Sequence, residues 1–321
     1  MSIDQRFTQF LTSIRPDGDQ KTACKYEHTL LRERLAADPR LKGIVVTTLL
    51  QGSYRRSTLV QSEPGKKPDV DVVVVTTLSG NTPPATALQT FHGFLYTYYP
   101  NRWKLQGRSL GIVGSRVELD LVVTAAPSLA VQNRIRLDAD RLDVDDQRVP
   151  RVTDWEREEP LWIPDREQGR WERTHPLAQI AWTQDKNRRT NGHYVNVVKV
   201  IKWWKRVQPS LPKYPKSYPL EHMVGDCCPD GITSMAEGVT RTFEAMVSAY
   251  STWAQAGQVP ALANRGLVGT NVLARVPAGD FRAFVQAVIG AARTARAAYD
   301  HRESPVAVQY WRQLFGPWFP A

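Results

Sequence analysis

Three short stretches of this chain carry side chains that could act together on a phosphate: LLQGSYRRST, KKPDVDVVVVT and SRVELDLVVTAA. The first closes an apolar run with Gly52-Ser53, the second opens one with Asp69-Val70-Asp71, and the third holds Asp120. Residues two apart on a strand point to the same face, so Asp69 and Asp71 project together. Carboxylates that close repel one another and partly neutralise unless a cation shares them. Mg²⁺ is the natural ion for carboxylates plus substrate phosphates, with Mn²⁺ as its substitute. A third carboxylate from a neighbouring strand completes a clamp for two ions, one activating an attacking hydroxyl and one neutralising a leaving pyrophosphate. Chemistry of this kind transfers a nucleotide.

Glu118 shares the face of Asp120, and the choice between them falls on Asp120. Leu119, Leu121 and Val123 must take the opposite, buried face, which leaves Asp120 mid-strand, where only a site tolerates a carboxylate. Gly52 lets the backbone approach a triphosphate, a following helix start offers N–H groups, and Ser53 adds a hydroxyl. Arg55, Arg56, Lys66 and Lys67 flank these residues and favour anionic ligands. An isolated Asp-x-Asp is ordinarily a solvated loop end, and a lone Gly-Ser says less. Their occurrence in order, each at the edge of an expected strand, is what carries weight.

The elements that must position these residues can be read from periodicity. Phe7, Phe10, Leu11 and Ile14, then Tyr26, Leu30, Leu31 and Leu35, predict two helices separated by Pro16-Asp17-Gly18. Ile44–Leu50 predicts a strand, and Val70–Val75 is apolar enough for a central strand covered on both sides. A helix is expected through Leu88, Phe91, Leu95 and Tyr98, then strands near Trp103–Gln106, Leu110–Val113 and Val117–Thr124. A mixed sheet with helices on one side accounts for this half. Residues 127 to 173 read as a charged, irregular connector, and the chain is mostly helical from His175 onward. The expected domains are 1–173, a catalytic core with N-terminal helices, and 174–321, a helical lobe closing over nucleotides.

Composition sets the outer bounds. At 321 residues, 42% hydrophobic and 23% charged, the chain is long enough for two domains of an ordinary globular protein. A net charge of +10 favours anionic partners without choosing among them. Cys24, Cys227 and Cys228 are too few for a disulfide framework. The N-terminal residues lack a signal-peptide core, and no window is long enough for a membrane span, so a cytoplasmic protein is expected.

Gly-Ser, then Asp-x-Asp on a strand, then a single Asp on a later strand resembles the polymerase-β-like nucleotidyltransferases. The closer resemblance is to the bacterial CD-NTases, relatives of animal cyclic GMP–AMP synthase, and most to clade D of that group. QGSYRRST, KKPDVDVVVVT, VELDLVVTAAP, WERTHPLAQIAWTQDKNRRTNGHYVN, VIKWWKR, LPKYPKSYPLEH and YWRQLFG carry it along nearly the whole chain. The resemblance implies an α+β fold, a polymerase-β-like nucleotidyltransferase lobe followed by a helical lobe, with the active site in the cleft. It implies Asp69, Asp71 and Asp120 as the catalytic metal triad and Gly52 with Ser53 as the phosphate-gripping turn. Lys202 matches the lysine that reaches the donor triphosphate, Ser217 a phosphate contact, and Tyr218 the ring that stacks on a base. Lysine is a flexible point charge suited to a triphosphate, and tyrosine offers a face for stacking.

The implied activity is synthesis of a cyclic oligonucleotide second messenger, a purine-rich cyclic trinucleotide, from ATP and GTP in CBASS antiphage defence. An effector protein would respond to the product, and a HORMA-type or other CBASS-encoded partner could regulate synthesis. The animal enzyme's zinc module precedes its lysine-bearing helix, whereas His222, Cys227 and Cys228 follow PKSYPLE and lack an evident fourth ligand. Zinc and direct activation by nucleic acid are therefore not expected. The acidic run Asp138, Asp140, Asp143, Asp145 and Asp146 lacks the glycine and terminal glutamate of a calcium loop and reads as a solvated face. Gly107, Gly111 and Gly114 fit no dinucleotide or P-loop pattern. Two alternatives remain open: a nucleotidyltransferase that modifies RNA or another macromolecule, and a catalytically silent nucleic-acid-binding protein.

Overall fold

The computed structural model describes residues 1–142 and 159–321. These form two compact units, one of Pro16–Ser57 with Ser62–Gln184 and one of Met1–Arg15, Thr58–Gln61 and Asp185–Ala321.

The first unit is built on a seven-stranded mixed sheet. Its strands are β1 (Val45–Gln51), β2 (Asp69–Thr76), β3 (Trp103–Leu105), β4 (Leu110–Val113), β5 (Glu118–Ala125), β6 (Leu161–Asp165) and β7 (Arg170–Thr174). The order is β1-β2-β5-β4-β3, and β6 adds to β5 and carries β7. β2 runs parallel to β5 and antiparallel to β1. Four consecutive valines suit β2 because both faces are covered, as in parallel sheets generally. Val70, Val72, Val74, Leu119, Leu121 and Val123 enter one core. There they meet residues of α2 (Gly18–Ala37), α4 (Pro84–Gln89) and α5 (His92–Tyr98). Val73, Val75 and Val122 enter the other core, against α6 (Leu129–Leu142) and α7 (Pro176–Arg189).

The helices therefore lie on both faces of the sheet, not on one. The difference arises in residues 127–173, expected to be irregular, which supply α6 and the β6–β7 hairpin. Their strands are short and β7 is mostly polar, so neither carries a strong apolar period. The single helix expected after Pro84 is two helices, α4 and α5. Its ladder tightens where Phe91 N–H bonds the Leu88 carbonyl, and the Thr90 hydroxyl bonds back to Thr86. Of the acidic run, Asp143, Asp145 and Asp146 lie outside the described residues, and the structure describes only the helical backbone at Asp138 and Asp140.

The second unit is helical, with α1 (Ile3–Ile14), α8 (Tyr194–Val207), α9 (Ser217–Cys227), α10 (Met235–Gln255), α11 (Ala278–Asp300) and α12 (Val306–Phe315). It also holds a small unforeseen hairpin, β8 (Ala263–Asn264) with β9 (Leu267–Asn271). α1 begins with a Ser2–Gln5 capping box, and its buried Phe7 and Phe10 meet the aromatic end of the chain. Phe7 lies edge-on to Trp311 at 5.0 Å, and Phe10 stacks on Phe315 at 5.0 Å. The boundary expected at 173/174 thus differs from the observed one: α1 belongs with the C-terminal helices, and α7 continues the sheet unit as far as Gln184. Trp203 and Trp204 are both buried here, beside Trp318 and between Phe243 and Phe284 respectively.

Candidate active site

The acidic side chains share the face of β2 and β5 that carries Val73, Val75 and Val122. Alternation places Asp69 and Asp71 on that face of β2, and Glu118 and Asp120 on that face of β5. Register does the rest. Asp71 pairs directly with Asp120, and Asp69 with Glu118. Asp69, Asp71 and Asp120 each offer a carboxylate oxygen within 4.8 Å of the other two. Among the described residues no other three His, Cys, Asp or Glu side chains gather in this way, and Glu118 stays outside the cluster.

The electrostatics follow from the crowding. Desolvation of the carboxyl, then the Asp71, Asp120 and Glu118 carboxylates, push Asp69 up to about 7, against an opposing effect of Lys104. Asp69 is exposed at the start of β2, and its carboxyl lies close to those of Asp71 and Asp120. Desolvation also raises Asp120, opposed by a hydrogen bond from Gln106 and by Lys104. Clustered oxygens that hold on to protons fit a hard divalent cation, whose charge would remove the repulsion.

Gly52 follows Gln51, the last residue of β1 and the register partner of Asp71, and has φ of +71°, where a side chain is strained. A Cβ there would also fall 1.8 Å from Asp71 Oδ2. Only glycine lets this turn and this carboxylate coexist. Gly52 and the half-buried Ser53 open α3 (Gly52–Arg55), one turn long, so the helix start expected here contributes backbone N–H groups and little dipole. Of the expected flanking cations, Arg55 is buried, Lys66 pairs with Glu63 at 2.6 Å, and Lys67 donates to the Gly114 carbonyl at 2.7 Å.

Lys202, Ser217 and Tyr218 belong to the helical unit. Lys202 on α8 has a side chain only 8% exposed and donates to Glu221 Oε1 and to the Thr58 carbonyl, each at 3.0 Å. The Thr58 hydroxyl donates to the same Glu221 oxygen at 3.0 Å. Ser217 is exposed as the first residue of α9, and the Tyr218 hydroxyl donates to Asn264 Oδ1 at 2.9 Å beside the His222 ring. Sequence reasoning missed Lys104, Gln106, Glu221 and Thr58. Glu221 and Thr58 had a signal, their places inside LPKYPKSYPLEH and QGSYRRST.

Residues 1–127 match the model of the Second Messenger Oligonucleotide or Dinucleotide Synthetase domain. The chain is 41% identical to the cyclic AMP-AMP-GMP synthase of Enterobacter hormaechei subsp. hoffmannii, over all of this chain and 92% of that protein. It is 27% identical to the cyclic AMP-AMP-AMP synthase of an Acinetobacter species, over all of this chain and 86% of that one. Its fold is shared by E. coli MS115-1 CdnC, solved with ATP, with a TM-score of 0.72, 17% identity, and coverage of 100% of this chain and 99% of that one. CdnC has also been solved in complex with a HORMA protein, with a TM-score of 0.70 at 17% identity, covering 99% of this chain and 98% of that one. With a relative this similar along its whole length, a polymerase-β-like fold and three clustered carboxylates, the chain belongs to the bacterial CD-NTases, the family of cyclic-oligonucleotide synthases.

Proposed function

We propose that this protein joins ATP and GTP into a cyclic AMP-AMP-GMP trinucleotide that signals in antiphage defence. The observation that carries the chemistry is the convergence of Asp69, Asp71 and Asp120 within 4.8 Å, next to a turn where only Gly52 fits. The 3′-hydroxyl of one nucleotide attacks the α-phosphorus of the next. An O–P bond forms, the bond to the pyrophosphate oxygen breaks, and the hydroxyl proton is released. The same step within the linear product closes the ring.

Asp69, Asp71 and Asp120 would hold Mg²⁺, two ions on our reading, with Mn²⁺ as substitute. When bound, such ions lower the pKa of the attacking hydroxyl and neutralise the leaving pyrophosphate. Gly52 brings the backbone to the phosphates and Ser53 donates its hydroxyl to them. In the helical unit, Lys202 supplies charge to the donor triphosphate, Ser217 bonds a phosphate at the start of α9, and Tyr218 stacks on a base.

The base composition follows the relative at 41% identity over the one at 27%. The quoted motifs are what supports membership of clade D. A HORMA-type regulator is suggested by the CdnC complex, and an effector protein would read the product. The proposed location is the cytoplasm; no described helix is long and apolar enough to cross a membrane.

The test is incubation with labelled NTPs and Mg²⁺ in the absence of RNA, followed by mass spectrometry. A phosphatase-resistant cyclic product containing two AMP and one GMP is expected. Asp69→Ala with Asp71→Ala should abolish synthesis and leave the unfolding transition in place. Activity only on added RNA, or synthesis by the double variant, would refute the reading.

A further inference from the structure

We propose that Gln106 is a positioning residue for Asp120, built into the β3–β4 turn to set which way that carboxylate faces. The proposal rests on the metal-dependent reading above.

Gln106 is held at every polar atom. Its N–H donates to the Ser109 carbonyl at 2.9 Å, and its carbonyl accepts from Arg166 Nε at 2.8 Å. Its side-chain Nε2 donates to Asp120 Oδ1 at 2.9 Å, while Oε1 accepts the Ser109 hydroxyl at 2.9 Å. The direction of the amide is dictated by chemistry. An ionised carboxylate only accepts, so Gln106 must turn its NH₂ toward Asp120, and Ser109 supplies the donor that Oε1 then needs.

The path from Gln106 to Asp120 depends on Gly111. Gly111 pairs with Asp120 across β4 and β5, and a Cβ on it would lie 2.5 Å from Gln106 Nε2 and 3.1 Å from Lys104 Cε. This accounts for a glycine that matched no nucleotide-binding pattern. The turn is braced from outside by the β6–β7 hairpin. Arg108 pairs with Asp165 at 2.8 Å and Glu172 at 2.6 Å, and Arg166 N–H donates to the Gly107 carbonyl at 3.0 Å.

The choice of side chain also has a reason. Arginine or lysine in this place would orient Asp120 equally well but would compete with a cation for its charge. A neutral amide ties one oxygen and leaves the carboxylate ionic. Partners of metal ligands act in this way, and their loss typically costs about 10–100-fold in metal affinity.

Gln106→Met keeps the length and removes the donor. Mn²⁺ binding to nucleotide-free protein, read by electron paramagnetic resonance of the free ion, should weaken about tenfold or more. Ser109→Ala, which frees the amide to rotate, should weaken it by a smaller factor, and it carries the test if Gln106→Met does not fold. Synthesis by the variants should recover at saturating Mn²⁺, with the half-saturating concentration raised by the same factor as the dissociation constant. Equal Mn²⁺ affinity in folded variant and wild type overturns the proposal, as does lost activity that the ion cannot restore. Absence of Mn²⁺ binding by the wild type refutes the metal reading itself, and this inference with it.

Discussion

Gly52 and Asp71 show how little room the site leaves at the level of single residues. The turn needs a positive φ, and the carboxylate occupies the volume a side chain would take. Desolvation, and then the adjacent acids, leave their mark on Asp69, whose carboxyl is raised to about 7. Without metal, the folded protein keeps a proton there that the unfolded chain has lost, between the ordinary carboxylate range and about pH 7. The stability this group contributes is therefore present in acid and is lost as the pH rises through about 7. Metal affinity should run the opposite way, because the ion must displace that proton. Titration calorimetry of Mg²⁺ at intervals from about pH 5.5 to about pH 8.5 should show affinity rising and then levelling above about 7. A flat profile would mean that Asp69 is already ionised across the range. Glycine and the acidic pair were legible in the sequence from type and spacing. The raised Asp69 carboxyl was not, because it depends on burial and on neighbouring carboxylates that exist only once the sheet has formed.

At the level of elements, β2 and β5 do the positioning, and parallel pairing in one register turns two sequence motifs into one cluster. The valine run announced a strand covered on both faces, and the structure has one. The covering helix α6 and the β6–β7 brace went unread, because charged short segments carry too little apolar period to announce themselves. A second pairing of elements lies in the helical unit, where Lys202 of α8 and Glu221 of α9 form an ion pair with side chains 8% and 7% exposed. Removing one member of a buried pair costs about 3–5 kcal/mol, whereas removing both strands no charge. Lys202→Met should therefore destabilise strongly in urea unfolding, and Lys202→Met with Glu221→Gln should regain most of the loss. If Lys202 also serves the donor triphosphate, the stable double variant will still show an impaired KM for ATP. Recovery of both stability and KM would assign Lys202 a structural role alone.

The whole molecule is assembled from a chain that does not respect sequence order. α1, Thr58–Gln61 and residues from Asp185 onward make the helical unit, and the intervening stretches make the sheet unit. Phe7 is fully buried against Trp311, Phe315 and Phe319, more than three hundred residues away in the sequence. Phe7→Ala should cost about 3–5 kcal/mol, measured by chemical denaturation, although the rings it packs against lie at the other end of the chain. A cost below about 1 kcal/mol would show that α1 is dispensable to the helical unit. The candidate site residues, their order and the alternation that puts Asp69 and Asp71 on one face were determined by sequence alone, because backbone geometry fixes the period of a strand. Their meeting with Asp120 was decided by the register of β2 on β5, where Asp120 falls opposite Asp71. The allegiance of α1, the brace on Gln106 and the pairing of Lys202 were likewise decided only by tertiary structure. Each depends on contacts between segments far apart in the chain, and no local pattern records which distant surface a side chain will meet.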